Sequence, residues 1–172
     1  MVKYIRLIPP ISYWLKVNVD GAAFGAPGFA GSGGIFRTLR GIVKSYFFLF
    51  IGCVFAIEAE LWAMNKAIRY AAHYSWWRLW LKSDSSIAVK ILKDWSRNVP
   101  WRMLPQWVAF LRLAESISLV LSHVYREANQ VADALSKRAI MEVSSSCYFF
   151  CQVIVLFWNI WKVVVRYTRV FL

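Results

Sequence analysis

Between Leu15 and Asp20 the chain alternates apolar and polar side chains, Leu15, Val17 and Val19 against Lys16, Asn18 and Asp20. That period of two marks a strand with one face turned inward, placed at 14–20. "GAAFGAPG" (21–28) reads as a turn built on Gly25, Pro27 and Gly28. Residues 31–37 and 42–50 read as two more strands, separated by "TLRG", and links this short make an antiparallel meander. At 56–74 the period changes: Ile57, Leu61, Met64, Ile68 and Ala71 recur at three- and four-residue steps, as on a helix face. A strand at 78–84 leads to a helix at 85–95 opened by serines suited to capping. "NVPWRMLP" breaks that helix. A helix at 106–116, a strand at 117–127 and a helix at 129–140 follow, the last with Asn129 placed to cap it. Ahead of everything, residues 1–13 form an extended lead-in, since Pro9 and Pro10 forbid helix.

Three strands in a meander followed by helix–strand–helix–strand–helix predict an α/β fold. The sheet is a five-stranded mixed one, a three-strand antiparallel meander plus two parallel strands, flanked by helices. Ligands of open sheets sit at the carboxyl ends of parallel strands. Asp20 and Asp84 each close a predicted strand.

Charge sharpens that coincidence. The 172 residues carry 21 Lys and Arg against 9 Asp and Glu, a formal charge of +12, with 59% hydrophobic residues. The length fits one domain, and the hydrophobic content excludes disorder. The positive surplus points to a polyanion, nucleic acid or anionic lipid. Acids that converge against such a background are functional candidates. Cys53, Cys147 and Cys151 make neither a disulfide framework nor a zinc motif, so a reducing, intracellular setting (nucleus or cytoplasm) is expected. No secretory signal is read at the N-terminus. Residues 142–172 form a hydrophobic tail, interrupted by Gln152, Asn159 and Lys162. It is either an aberrant appendage or the one segment through which a membrane could be engaged.

Each acid has an ordinary alternative. Asp20 could form a turn before Gly21, Glu60 could be a solvated helix acid, Asp84 could cap a helix, and Asp133 could pair with Lys137 at i+4. Gathered at one sheet edge, they would repel unless a cation sat among them, and hard oxygen ligands suit Mg²⁺ or Mn²⁺.

Four ordered blocks decide the matter. "PPISYWLKVNVDGA" resembles "PP…WLKLNVDGA", "EAELWAMNKAI" resembles "EAELWAL", "LKSDSS" resembles "ETDS", and "SHVYREANQVADALSKRA" resembles "SHVYREANKVADWLAK". These are motifs of the type 1 RNase H family, in the RNase H-like domain of plant non-LTR retroelement reverse transcriptases and their domesticated relatives. The resemblance spans about residues 9–139 and sets the domain at 14–141. It implies Asp20, Glu60, Asp84 and Asp133 as catalytic, metal-binding acids, with His123 assisting proton transfer or product release. Glu58 is left as a solvated neighbour, and His73 as structural. Gly21, Ala22 and Ser86 fall at substrate-binding positions. The implied reaction is endonucleolytic hydrolysis of the RNA strand of an RNA–DNA hybrid by a monomer. It uses two divalent ions about 3.5–4 Å apart and no small-molecule cofactor. It leaves 5′-phosphate and 3′-hydroxyl ends, with the 2′-hydroxyl as the mark of RNA.

Three departures keep an alternative open. Ala26 stands where the family's glycine turn carries Asn, "YFFLFIGCVFA" (46–56) is apolar where a polar turn is usual, and Ser86 replaces a common Gln. These leave metal binding intact and weaken hybrid contacts, so a catalytically weak or inactive nucleic-acid-binding module on the same fold is the second expectation.

Overall fold

A computed structural model of the chain describes residues 13–96 and 99–149. The expected lead-in up to Ser12 and the tail beyond Phe149 lie outside these residues. The meander is present as β1 (Leu15–Gly25), β2 (Gly28–Arg37) and β3 (Val43–Val54). Helix α1 (Ala56–His73) leads to β4 (Arg78–Ser83) and α2 (Ser86–Lys93). A 3-10 turn at Trp101–Met103 opens α3 (Leu104–Glu115), followed by β5 (Ser118–His123) and α4 (Gln130–Glu142). β1 pairs antiparallel with β2 and parallel with β4, and β4 pairs parallel with β5.

Those five strands are the mixed sheet read from the sequence. A sixth, β6 (Ser146–Phe149), lies within the stretch expected as a tail and pairs antiparallel with the outer edge of β3. The full order is β5-β4-β1-β2-β3-β6. An edge strand presents unpaired N–H and C=O groups, and β6 satisfies four residues' worth of that edge, Ser45 to Phe48.

The alternation in β1 sorts the core. Leu15, Val17 and Val19 pack with Leu61, Met64 and Ile68 of α1 and with Leu79 and Leu81 of β4. A smaller cluster of Ile35, Phe48, Leu135 and Ala139 joins α4 to the meander. Among the described residues no helix is long and apolar enough to cross a membrane.

The expected turn at 21–28 is instead mostly strand. Pairing runs unbroken from Lys16↔Arg37 to Gly25↔Gly28, leaving only Ala26 and Pro27 as the loop. Gly25, at φ +133°, and Gly28 flank that loop and make the reversal, whereas Gly21, like Gly33 on β2, serves close packing. A Cβ on Gly21 would lie 2.2 Å from the backbone of Ala59 and Glu60, and one on Gly33 would lie 2.5 Å from the backbone nitrogen of Ser136. Helices α1 and α4 therefore approach the sheet more closely there than any side chain would permit.

Candidate active site

Asp20 lies on β1, Glu60 near the start of α1, and Asp84 one residue past β4. One carboxylate oxygen of each lies within 4.8 Å of the others. The bare backbone at Gly21 lets α1 descend far enough to bring Glu60 there, and the Gly21 N–H donates to the Glu60 carboxylate. Ser83 Oγ donates to Glu60 Oε2 at 3.3 Å.

Two side chains missed by the sequence reading hold the other acids. Asn129 is buried, and its Nδ2 donates at 2.8 Å both to Asp84 Oδ1 and to the carbonyl of Val19. Its Oδ1 accepts from Asn18 Nδ2 at 3.1 Å. The expected cap is therefore not made: Asn129 occupies the N-cap position of α4 without a side-chain capping bond, because its amide ties Asp84 to β1. Ser136 is fully buried, with its hydroxyl 2.6 Å from Asp20 Oδ2 and 2.8 Å from the carbonyl of Asp133. One sequence signal pointed to Ser136: it follows Asp133 by three residues, on the same helix face. Nothing local distinguished Asn129 from a cap.

Packing these acids together is electrostatically costly. Burial pushes the Glu60 carboxyl up to about 9, with the charges of Asp20 and Asp84 adding to it. Burial likewise pushes Asp20 up to about 7; the Ser136 hydroxyl works against the rise, and the charges of Asp84 and Asp133 work with it. Three hard-oxygen donors, with the charged forms of Glu60 and Asp20 disfavoured, make a donor set suited to a divalent cation, which would relieve both effects.

The remaining expected residues are placed differently. Asp133 stands outside the group of three: Lys137 Nζ donates to its Oδ2 at 2.7 Å, and Arg126 Nη2 lies 4.0 Å from its Oδ1. That is the i+4 pairing weighed from the sequence. His123 ends β5 opposite Ser83, and its Nε2 lies 3.0 Å from the Asp84 carbonyl. A carbonyl only accepts, so this nitrogen carries the proton and Nδ1 is left to accept. Ala22 is half-buried beside Gly31, and Ser86 is exposed at the start of α2, where Ser85 makes the cap by accepting from the Ala88 N–H. Glu58, expected to be solvated, is buried: its Oε2 accepts from the Phe55 N–H at 2.9 Å and closes the start of α1.

This sheet order and acidic group define an RNase H-like domain. Residues 18–139 match the model of the family described as reverse transcriptase-like, and the chain belongs to that family. An Arabidopsis thaliana protein whose name carries a provisional ribonuclease H designation is 37% identical over 139 residues, 80% of this chain and 22% of that protein. The chain thus spans about a fifth of that relative's length. RNase H1 of the halophilic archaeon Halobacterium salinarum superposes with a TM-score of 0.66 at 25% identity, covering 76% of this chain and 99% of that one. LC11-RNase H1 in complex with an RNA/DNA hybrid shares the fold, with a TM-score of 0.67 at 21% identity over 75% of this chain and 98% of that one.

Proposed function

We propose that this chain hydrolyses the RNA strand of RNA–DNA hybrids, using divalent cations held by Asp20, Glu60 and Asp84. One observation carries the reading: in a chain with nine acids and a charge of +12, three of them meet within 4.8 Å. The substrate is carried over from the family and from the hybrid seen with LC11-RNase H1.

A bound divalent ion would supply Lewis-acid polarisation of a phosphoryl oxygen and acidification of water. The chain's own groups do the rest. Asn129 fixes the direction of the Asp84 oxygens, and Ser136 favours the charged form of Asp20. His123, its Nε2–H committed to the Asp84 carbonyl, presents Nδ1 to hold or pass a proton at the rim of the site. Gly21, Ala22 and Ser86 are assigned to substrate contact from the family resemblance, with Ala22 half-buried and Ser86 exposed. Lys16 on β1 stands opposite Arg37 on β2, and Lys82 on β4 stands opposite Asn18, two residues further along β1, all three on the sheet face that also carries Asp20. Burial, then the charges of Arg37 and Lys82, hold the Lys16 ammonium down to about 8, and a phosphate backbone would relieve that repulsion.

The non-catalytic binding module has its own supporting observation, the Lys137 ammonium seated on Asp133. Asp133 would act as a fourth ligand only after leaving that partner. A hybrid labelled on the RNA 5′ end separates the readings. Cleavage is expected with Mg²⁺, abolished by EDTA and by Asp84→Asn, while that variant still binds hybrid. Binding without cleavage at high protein concentration assigns the module instead. Absence of both sinks the two readings together.

A further inference from the structure

At the far end of the sheet from the acids, where β1 and β4 begin and β2 ends, a cavity of about 620 Å³ opens to solvent. Tyr13, Thr38, Lys44, Trp76, Trp77 and Arg78 are among its walls. Hybrid cleavage makes no use of it: the run of chain from Arg78 to Asp84 is about 20 Å long at about 3.3 Å per residue.

Three features of this cavity are independent of one another. First, aromatic rings stand open to water here, Tyr13 at 89% exposure and Trp77 at 52%. Second, the described lining holds two cations and no acid, and no carboxylate among the described residues pairs with Lys44 or Arg78. Lys44 Nζ instead sits 4.5 Å from the ring centroid of Trp76. Third, Thr38 Oγ1 is buried and has no hydrogen-bond partner among the described residues.

Exposed ring faces, uncompensated cations and an unused hydroxyl suit one ligand class: an unstacked base carried on a phosphate backbone. A duplex covers its base faces everywhere but at its ends, whereas a single strand offers them along its length. The volume is that of a small-ligand site. We propose that this cavity is a second nucleic-acid site that takes a nucleotide of a single strand, its base against Trp77 and Tyr13 and its phosphate toward Lys44 and Arg78. A hybrid with a single-stranded overhang would then be held at two places at once, with the gain in avidity that linkage brings.

The test is binding of a fluorescent oligo-dT of about 15 nucleotides to the full chain in EDTA, so that cleavage plays no part in the outcome. Trp77→Ala and the double variant Lys44→Gln/Arg78→Gln are each expected to weaken binding about tenfold, the double variant also flattening the log K against log salt slope by about 1.4. Blunt hybrid should bind all variants equally and, at saturation, should leave oligo-dT binding intact. Oligo-dT affinity within twofold of wild type in both variants, or displacement of oligo-dT by blunt hybrid, would overturn the proposal. All three side chains are exposed, and far-UV circular dichroism checks that each variant folds. Should Trp77→Ala misfold, the double variant alone decides.

Discussion

Asn129 uses both its donor and its acceptor capacity on β1 and Asp84, at distances of 2.8 and 3.1 Å. Replacing it by Ala strands the Val19 carbonyl and frees Asp84 to rotate. We expect a loss of about 1–3 kcal/mol in urea unfolding, and cleavage reduced about 10–100-fold, the usual scale for a group that orients a ligand. The raised carboxyls make a second prediction at this scale. Glu60 at about 9 and Asp20 at about 7 keep protons in the folded chain that an unfolded carboxylate releases near pH 4. The native state then binds more protons than the unfolded one, so stability falls as pH rises from about 5 to 7. The window stops there because Lys16, held down to about 8, begins to contribute with the opposite sign. Urea midpoints at pH 5, 6 and 7 in EDTA should decline in that order, and Mg²⁺ should flatten the decline by favouring the charged carboxylates. Single residues were only partly legible in the sequence. Asp20, Glu60 and Asp84 could be chosen because their neighbours matched a known order, whereas Asn129 looked like any cap and Glu58 like any solvated acid.

Elements were easier to read than their ends. The three-and-four-residue spacing through Leu61, Met64 and Ile68 marks α1 because those side chains are fully buried in it. The two-residue alternation of Leu15, Val17 and Val19 survives in β1 for the same reason. What the pattern misplaced was residues 21–25, which belong to the strand; Gly21 looks like punctuation but gives room to the backbone of α1, and the turn is confined to Ala26 and Pro27 between Gly25 and Gly28. The strand pairing that continues through residues 21–25, with Asp20 opposite Gly33, depends on contacts distant in the chain. Gly21→Ala tests this directly. A methyl group placed 2.2 Å from the Ala59 carbonyl carbon and the Glu60 nitrogen forces α1 away from β1. Overpacking of this kind costs about 1–3 kcal/mol. The signature that separates it from simple destabilisation is functional: Glu60 moves with α1, so Mg²⁺ affinity by titration calorimetry should fall in protein that still gives a folded spectrum.

At the scale of the whole molecule, the proposed reaction asks a chain of charge +12 to hold divalent cations in one acidic nest while its surface attracts phosphates. That division was legible from the charge count and the scarcity of acids. Which acids met was settled by strand order, which places β1 between β2 and β4 and sets Asp20 beside Asp84. The two kinds of charge are not independent. The long-range positive field opposes an approaching Mg²⁺, and a bound polyanion cancels that field, so hybrid and metal should each strengthen the other's binding. Linkage requires the coupling to be equal in both directions. With a hybrid whose RNA strand is 2′-O-methylated to block cleavage, Mg²⁺ affinity should tighten by about fivefold or more, the scale of an ordinary coupling. Hybrid affinity should rise by the same factor when Mg²⁺ is added. The long-range part of this coupling should fade as KCl rises from about 50 to about 300 mM, because screening shortens the reach of the field. A coupling unchanged by salt would instead assign it to ions shared directly between the carboxylates and the phosphate, and no coupling at all would mean that hybrid binds away from Asp20, Glu60 and Asp84.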